Sequence, residues 1–127
     1  DIMVDSNQSQ QVFLNLMLNS MDAIKQNGSI VLKTVYVENN CADFDYAQSL
    51  WLDKNSNYVV VSFKDSGCGM SAEMVERVFE PFFTTKHNGT GLGMAIVFRI
   101  LKENNATIKV ESTKGGGTTL TLFFSVD

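Results

Sequence analysis

The sequence predicts an α+β two-layer sandwich, a mixed β-sheet with about three helices on one face. Three observations predict it. Two long segments, about 6–25 and 91–104, carry apolar residues at three- and four-residue steps, as amphipathic helices do. Four β-rich runs, 29–38, 58–64, 107–112 and 118–126, are rich in Val, Ile, Thr and Phe. Glycine, asparagine and capping residues fall where each pattern stops. Strands and helices in that arrangement pack as two layers around one core.

Along the chain, Ile2-Met3-Val4 is a short strand-like run, and the sequence opens on Asp1, so it reads as a fragment of a longer protein. Asp5 and Ser6 are good N-cap types for the first helix, with Val12, Leu16, Met17 and Met21 as its apolar stripe. Asn27-Gly28 ends that helix. Between the first two strand runs lies a polar insertion, 39–57, interrupted by Tyr46-Ala-Gln-Ser-Leu-Trp-Leu52. A connection that long carries its own structure or function. Leu50, Trp51 and Leu52 would cover the sheet edge or form a docking surface. A short helix spans about 72–79. In the long helix that follows, Ala95, Val97/Phe98 and Leu101 form the expected buried stripe, and Asn105 is expected to take a left-handed cap. The turn Lys114-Gly-Gly-Gly117 joins the last two strands.

With 127 residues, 44% of them hydrophobic, one domain over 1–127 with a real core is expected. No apolar run is long enough to span a membrane. The net charge of −4 and scattered basic residues argue against nucleic-acid binding. Cys41 and Cys68 have no metal-type spacing, and a reducing, cytoplasmic setting is the simplest reading.

The chemistry concentrates in four segments. Gly89, Gly91 and Gly93 alternate immediately before a helix, whose N-terminal N–H groups and dipole suit phosphate oxygens. A dinucleotide fingerprint would need glycine at Met94, and a P-loop would need Gly-Lys-Ser/Thr, so this is a phosphate cradle of another type. In the first helix Asn15, Asn19 and Asp22 share one face. Leu14, Leu16, Met17, Leu18 and Met21 surround them, so a solvated face is the weaker reading, and Mg²⁺ with phosphate oxygens would supply partners. Asp65 precedes Gly67 and Gly69; it makes either an Asx turn or an acceptor for the exocyclic amine of adenine. Thr118, after Gly117, would add a hydroxyl near the same base.

Together these segments resemble the ATP-binding domain of sensor histidine kinases, in the wider family that contains gyrase, Hsp90 and MutL. The N box is matched by Asn15-Leu-Met-Leu-Asn19-Ser-Met-Asp22-Ala and the G1 box by Asp65-Ser-Gly67-Cys-Gly69. Phe79-Glu-Pro-Phe82-Phe83 matches the F box and Gly89-Thr90-Gly91-Leu92-Gly93 the G2 box. Four boxes in order over nearly the whole chain are a specific signal. The resemblance implies the Bergerat ATP fold with a flexible lid. It implies that Asn19 ligands Mg²⁺ with Asn15 near the phosphates, and that Asp65 binds adenine in a pocket shaped by Gly67, Gly69 and Met70. It further implies that the G2 glycines wrap the phosphates. Lys86 reads equally as a γ-phosphate contact and as an exposed loop lysine. His87, the only histidine, lacks the helical, acid-flanked setting of a phosphoacceptor in this family. Asn105-Ala106 stands where the family often has Gly-Gly. Asp22 stands where many members have a phosphate-contacting lysine, and looks more like the nitrogen-regulation and sporulation-sensor branches.

Hydrolysing relatives place a glutamate base four residues before the Mg²⁺ asparagine, where this chain has Asn15. Losing a general base costs about 10²–10⁴-fold in rate. The resemblance therefore implies phosphoryl transfer to a histidine on a separate dimerisation domain, with a response regulator downstream and a monomeric fragment of a homodimeric parent. Membrane attachment of that parent stays open. An anti-sigma-type serine kinase of the same fold usually keeps the glutamate; a degenerate interaction module would have lost nucleotide-contacting residues.

Overall fold

Asp5 caps the first helix by accepting a hydrogen bond from the Gln8 amide at 2.8 Å, and α1 runs Ser6–Ala23. The computed structural model describes residues 5–49, 51–83 and 93–126. Strands β1 (Ile30–Val37) and β2 (Asn57–Asp65) follow, then α2 (Ala72–Arg77), capped by Ser71. Helix α3 (Gly93–Glu103) leads into β3 (Ala106–Ser112) and β4 (Thr118–Val126). Asn105 holds the sharp turn after α3 at φ 54°, the left-handed cap expected of it.

The strand order is β1-β2-β4-β3, with every described pairing antiparallel. This is the α+β two-layer architecture expected, but the described strands are antiparallel rather than mixed. The reason lies in the last hairpin. Strands β2 and β3 point the same way across a helical crossover, but β4 inserts between them, so the parallel pair never forms.

Val61, Phe63, Leu120, Leu122 and Phe124 face the helices and pack with Val12, Leu16, Val97, Ile100 and Leu101. Helices α1 and α3 lie antiparallel. Gln8, near the start of α1, accepts from the Asn104 amide at 3.0 Å and reaches Glu103 at 3.4 Å, just where α3 ends. The apolar stripe of α1 is narrower than expected: Met21 is 56% exposed, and Leu14 and Leu18 are exposed too. In α3, Ile100 is buried beside Val97 and Leu101, while Ala95 and Phe98 are half-buried.

The insertion covers a sheet face rather than an edge. Val37, Tyr58 and Phe123 point away from the helices, and Phe44, Tyr46 and Leu52 pack onto them. The Phe44 ring lies 4.9 Å from Tyr46 and 6.3 Å from Phe123. The Tyr58 hydroxyl accepts from the Asp53 amide at 2.7 Å, and that of Tyr46 accepts from Cys41 and donates to the Glu38 carbonyl. Trp51 stands 73% exposed beyond this packing, and Leu50 lies outside the described residues. Phe44→Ala is expected to cost about 2 kcal/mol, below the 3–5 of a fully buried phenylalanine. Because this cluster gathers at the Tyr58 end of β2, far from Asp65, nucleotide affinity is expected to hold; thermal unfolding and titration together check both.

Candidate functional site

Asp65 ends β2 with its side chain on the helix side, in the same alternation as Val61 and Phe63, and is 5% exposed. Its Oδ1 accepts from the Gly67 amide at 2.9 Å and the Thr118 amide at 3.3 Å. The first of these is the Asx turn. An ionised carboxylate has about four acceptor positions, so the turn and a further donor are compatible.

The surrounding backbone is closely set. Cys68 donates its amide to the Ala23 carbonyl at 3.0 Å, and the Gly115 amide donates to the Cys68 carbonyl at 2.7 Å. The end of α1, the 65–70 turn and the 113–117 turn are thereby tied together. A side chain at Gly67 would press on Ala23, and one at Gly69 would overlap the Thr113 carbonyl oxygen. Gly69 has φ +67°, a conformation that costs a side chain roughly 1–2 kcal/mol. Ser112 joins the two turns: it accepts from the Met70 amide at 2.8 Å, donates to the Gly117 carbonyl at 3.0 Å and sits 2.7 Å from the Thr118 hydroxyl. Sequence reading missed Ser112. Aligning the final hairpin, in which Ser112 pairs with Thr118, was the signal that could have found it.

At roughly 100° per residue, Asn15, Asn19 and Asp22 fall on the flank of α1 that also carries Gln8, the residue bound to the end of α3. Asn15 and Asn19 are half-buried, and Asp22 is exposed. Antiparallel packing puts the Asn19–Asp22 end of this flank level with the start of α3, where no atom of the described residues lies within 4 Å of a Cβ placed at Gly93. The structure thus brings Asp65, Gly67, Gly69, Met70 and Thr118 into one cluster, with the α1 flank and the α3 N-terminus around the same end of the sheet. Lys86, His87, Gly89, Thr90, Gly91 and Leu92 lie outside the described residues. In the segment that precedes them in the sequence, Phe79 stacks on Phe98 at 4.9 Å, and Arg77 lies over Phe83 while pairing with Glu80 at 3.0 Å.

A family model described as the histidine kinase-, DNA gyrase B- and HSP90-like ATPase matches residues 4–127. The chain belongs to this family. Among curated relatives, the sensor kinase CckA of Brucella abortus is 38% identical over 125 residues, which are 96% of this chain and 13% of that protein. Sporulation kinase C of Bacillus subtilis is 35% identical over 113 residues, 89% of this chain and 22% of the kinase. The catalytic domain of histidine kinase ThkA superposes with a TM-score of 0.71 at 28% identity, over 98% of this chain and 70% of that one. The chain therefore spans less than a quarter of the length of these two curated relatives.

Membership in this ATPase family implies ATP binding, and the residues present fit a nucleotide. Asp65 keeps acceptor capacity beside two turns set so closely that a side chain at Gly69 would overlap the Thr113 carbonyl oxygen and one at Gly117 the carbonyl oxygen of Asp65 itself. Amide oxygens on the α1 flank are hard donors of the kind Mg²⁺ takes. Among the described residues no three His, Cys, Asp or Glu side chains cluster to hold a metal, so a Mg²⁺ ion here would draw its remaining ligands from phosphate and water. Among the described residues one buried side-chain atom has no partner, the Ser20 hydroxyl. Leaving it so costs about 1–3 kcal/mol, which makes it the polar atom most in need of explanation in this half of the family fold. Sequence reading passed over it, although a serine in line with Val12 and Leu16 was its signal. No helix among the described residues is long and apolar enough to cross a membrane.

Proposed function

We propose that residues 1–127 form the catalytic ATP-binding domain of a sensor histidine kinase, donating the γ-phosphate of Mg·ATP to a histidine on a separate dimerisation domain. The observation that carries this reading is the polar end of the sheet: a buried Asp65 carboxylate with spare acceptor capacity, beside a helix flank of amides and the start of α3. Asp65 receives the adenine amine, while Gly67, Gly69, Met70 and Thr118 bound the base. Asn19 holds Mg²⁺, which neutralises phosphate charge, and Asn15 stands close to the phosphates. Asp22 orders water or a basic neighbour. Lys86 is assigned to the γ-phosphate, and Gly89, Thr90, Gly91, Leu92 and Gly93 to the phosphate cradle.

The amide at position 15 separates transfer from hydrolysis. It takes no proton, so the acceptor must bring its own base, and phosphoryl transfer asks the binding domain mainly for positioning and charge neutralisation. CckA and sporulation kinase C, both named as kinases, support the same choice. A response regulator is the downstream partner; the parent is a homodimer held by its dimerisation domain, and this domain alone is a monomer. The isolated chain is expected to bind Mg·ATP yet hydrolyse it at least about 100-fold more slowly than the 1–10³ s⁻¹ of ordinary enzymes. Label from γ-³²P ATP is expected on histidine only after a dimerisation domain is supplied. Turnover at ordinary rates without any acceptor sinks the proposal.

A further inference from the structure

Ser112, Thr118 and Asp65 stand in one row across three strands: Ser112 pairs with Thr118, and Thr118 with Asp65. Directly opposed residues of antiparallel strands share a face, so all three side chains lie on the helix side of the sheet. Asp65 and Thr118 are both buried there. A serine hydroxyl holds one hydrogen and two lone pairs, and at Ser112 all three are in use. The Gly117 carbonyl, 3.0 Å away, can only accept, so it takes the hydrogen. The Met70 amide, 2.8 Å away, can only donate, so it occupies one lone pair. What remains for the Thr118 hydroxyl, at 2.7 Å, is the second lone pair, and Thr118 must donate to it. Thr118 thereby spends its own hydrogen on Ser112 and is left with acceptor capacity only.

We propose that Ser112 is a positioning residue for nucleotide selection and acts by fixing the hydrogen of Thr118, an inference that rests on the adenine reading of Asp65. A free threonine hydroxyl turns to donate or to accept, so it suits an amine and a carbonyl alike. Held by Ser112, it suits a donor alone. Asp65 and Thr118, neighbours in the row, then form an all-acceptor pair beside the base. The exocyclic amine of adenine, with two hydrogens, complements that pair. A carbonyl in the same place meets lone pairs only, and the site rejects it. Ser112 touches no part of the base; it removes from Thr118 the one option that would let the wrong base in.

The test is calorimetric titration of the 127-residue domain with Mg·ATP and with Mg·ITP, which keeps the ribose, phosphates and ring skeleton but carries a carbonyl where adenine has its amine. Wild type, Ser112→Ala, Thr118→Val and the double variant are compared. Ser112→Ala is expected to lower the ATP-over-ITP affinity ratio about 5–10-fold, because the released Thr118 hydroxyl donates to the carbonyl. In the Thr118→Val background the same substitution is expected to leave the ratio where it was. Equal weakening of both nucleotides by Ser112→Ala overturns the inference and leaves Ser112 a brace between two turns. So does a shift of the ratio that is as large without the Thr118 hydroxyl as with it. If Ser112→Ala does not fold, Thr118→Val decides: the ratio is expected to fall with the acceptor gone, and an unchanged ratio overturns the inference. Failure of the wild-type domain to bind Mg·ATP removes the adenine reading itself, and this inference with it.

Discussion

Asp65→Asn is expected to weaken Mg·ATP binding by about 10–100-fold while leaving the domain folded. The two effects separate because the carboxylate has two tasks. Its Oδ1 accepts from the Gly67 and Thr118 amides, and an asparagine carbonyl in the same place accepts from both. The turn therefore survives, and the unfolding temperature is expected to move by only a few degrees. What the amide cannot do is offer a second acceptor. Its NH₂ group would meet the amine of adenine donor to donor, and a hydrogen bond to a charged group, worth about 1.5–3 kcal/mol, is lost with it. Guanine, whose oxygen occupies that position, is no longer repelled, so the ATP-over-GTP ratio should fall further than ATP affinity alone. Calorimetric titration with both nucleotides reads each quantity. Full ATP affinity in a folded Asp65→Asn domain would show that Asp65 makes only its Asx turn, the bland alternative for any Asp-x-Gly sequence.

That ambiguity shows what could be read from the sequence. Local signals were legible: Asp5 as a cap, Asn105 in the left-handed region and the helical spacing of Val12 and Leu16 are set by neighbours a few residues away. Asp65, Gly67, Gly69 and Thr118 were also legible, because their types and spacing limit what a turn can hold. Strand order was not. It depends on β4 sliding between β2 and β3, which no window of the chain records. Exposure failed for the same reason. Helical spacing put Met21 in one stripe with Val12 and Leu16, but could not tell that the described residues leave Met21, Leu14 and Leu18 uncovered. Ser20 and Ser112 look ordinary as letters; only a missing partner in one, and three neighbouring polar atoms around the other, set them apart.

Gly117→Ala is expected to be the most damaging single-methyl change in the 113–117 turn. Gly117 has φ +79°, where an L-residue costs roughly 1–2 kcal/mol. A Cβ there would also overlap the carbonyl oxygen of Asp65. That oxygen is backbone at the end of β2, so no rotamer relieves the clash, and either the strand or the turn must shift. The two penalties together reach about 3 kcal/mol or more, a fall of some 10 °C or more in unfolding temperature for a domain of this size. Gly115→Ala is the matched control. Its φ of +82° carries the same left-handed penalty, but nothing among the described residues lies within 4 Å of its Cβ position, so about 1–2 kcal/mol is expected. The difference between the variants isolates the close approach of the two turns. Because the same carbonyl belongs to the residue that receives the base, the Gly117→Ala molecules that remain folded are expected to bind Mg·ATP poorly, while Gly115→Ala binds normally. Equal stability and equal affinity in the two variants would mean that contact between the turns does not hold Asp65 in place, and that the Gly67 and Thr118 amides do so without it.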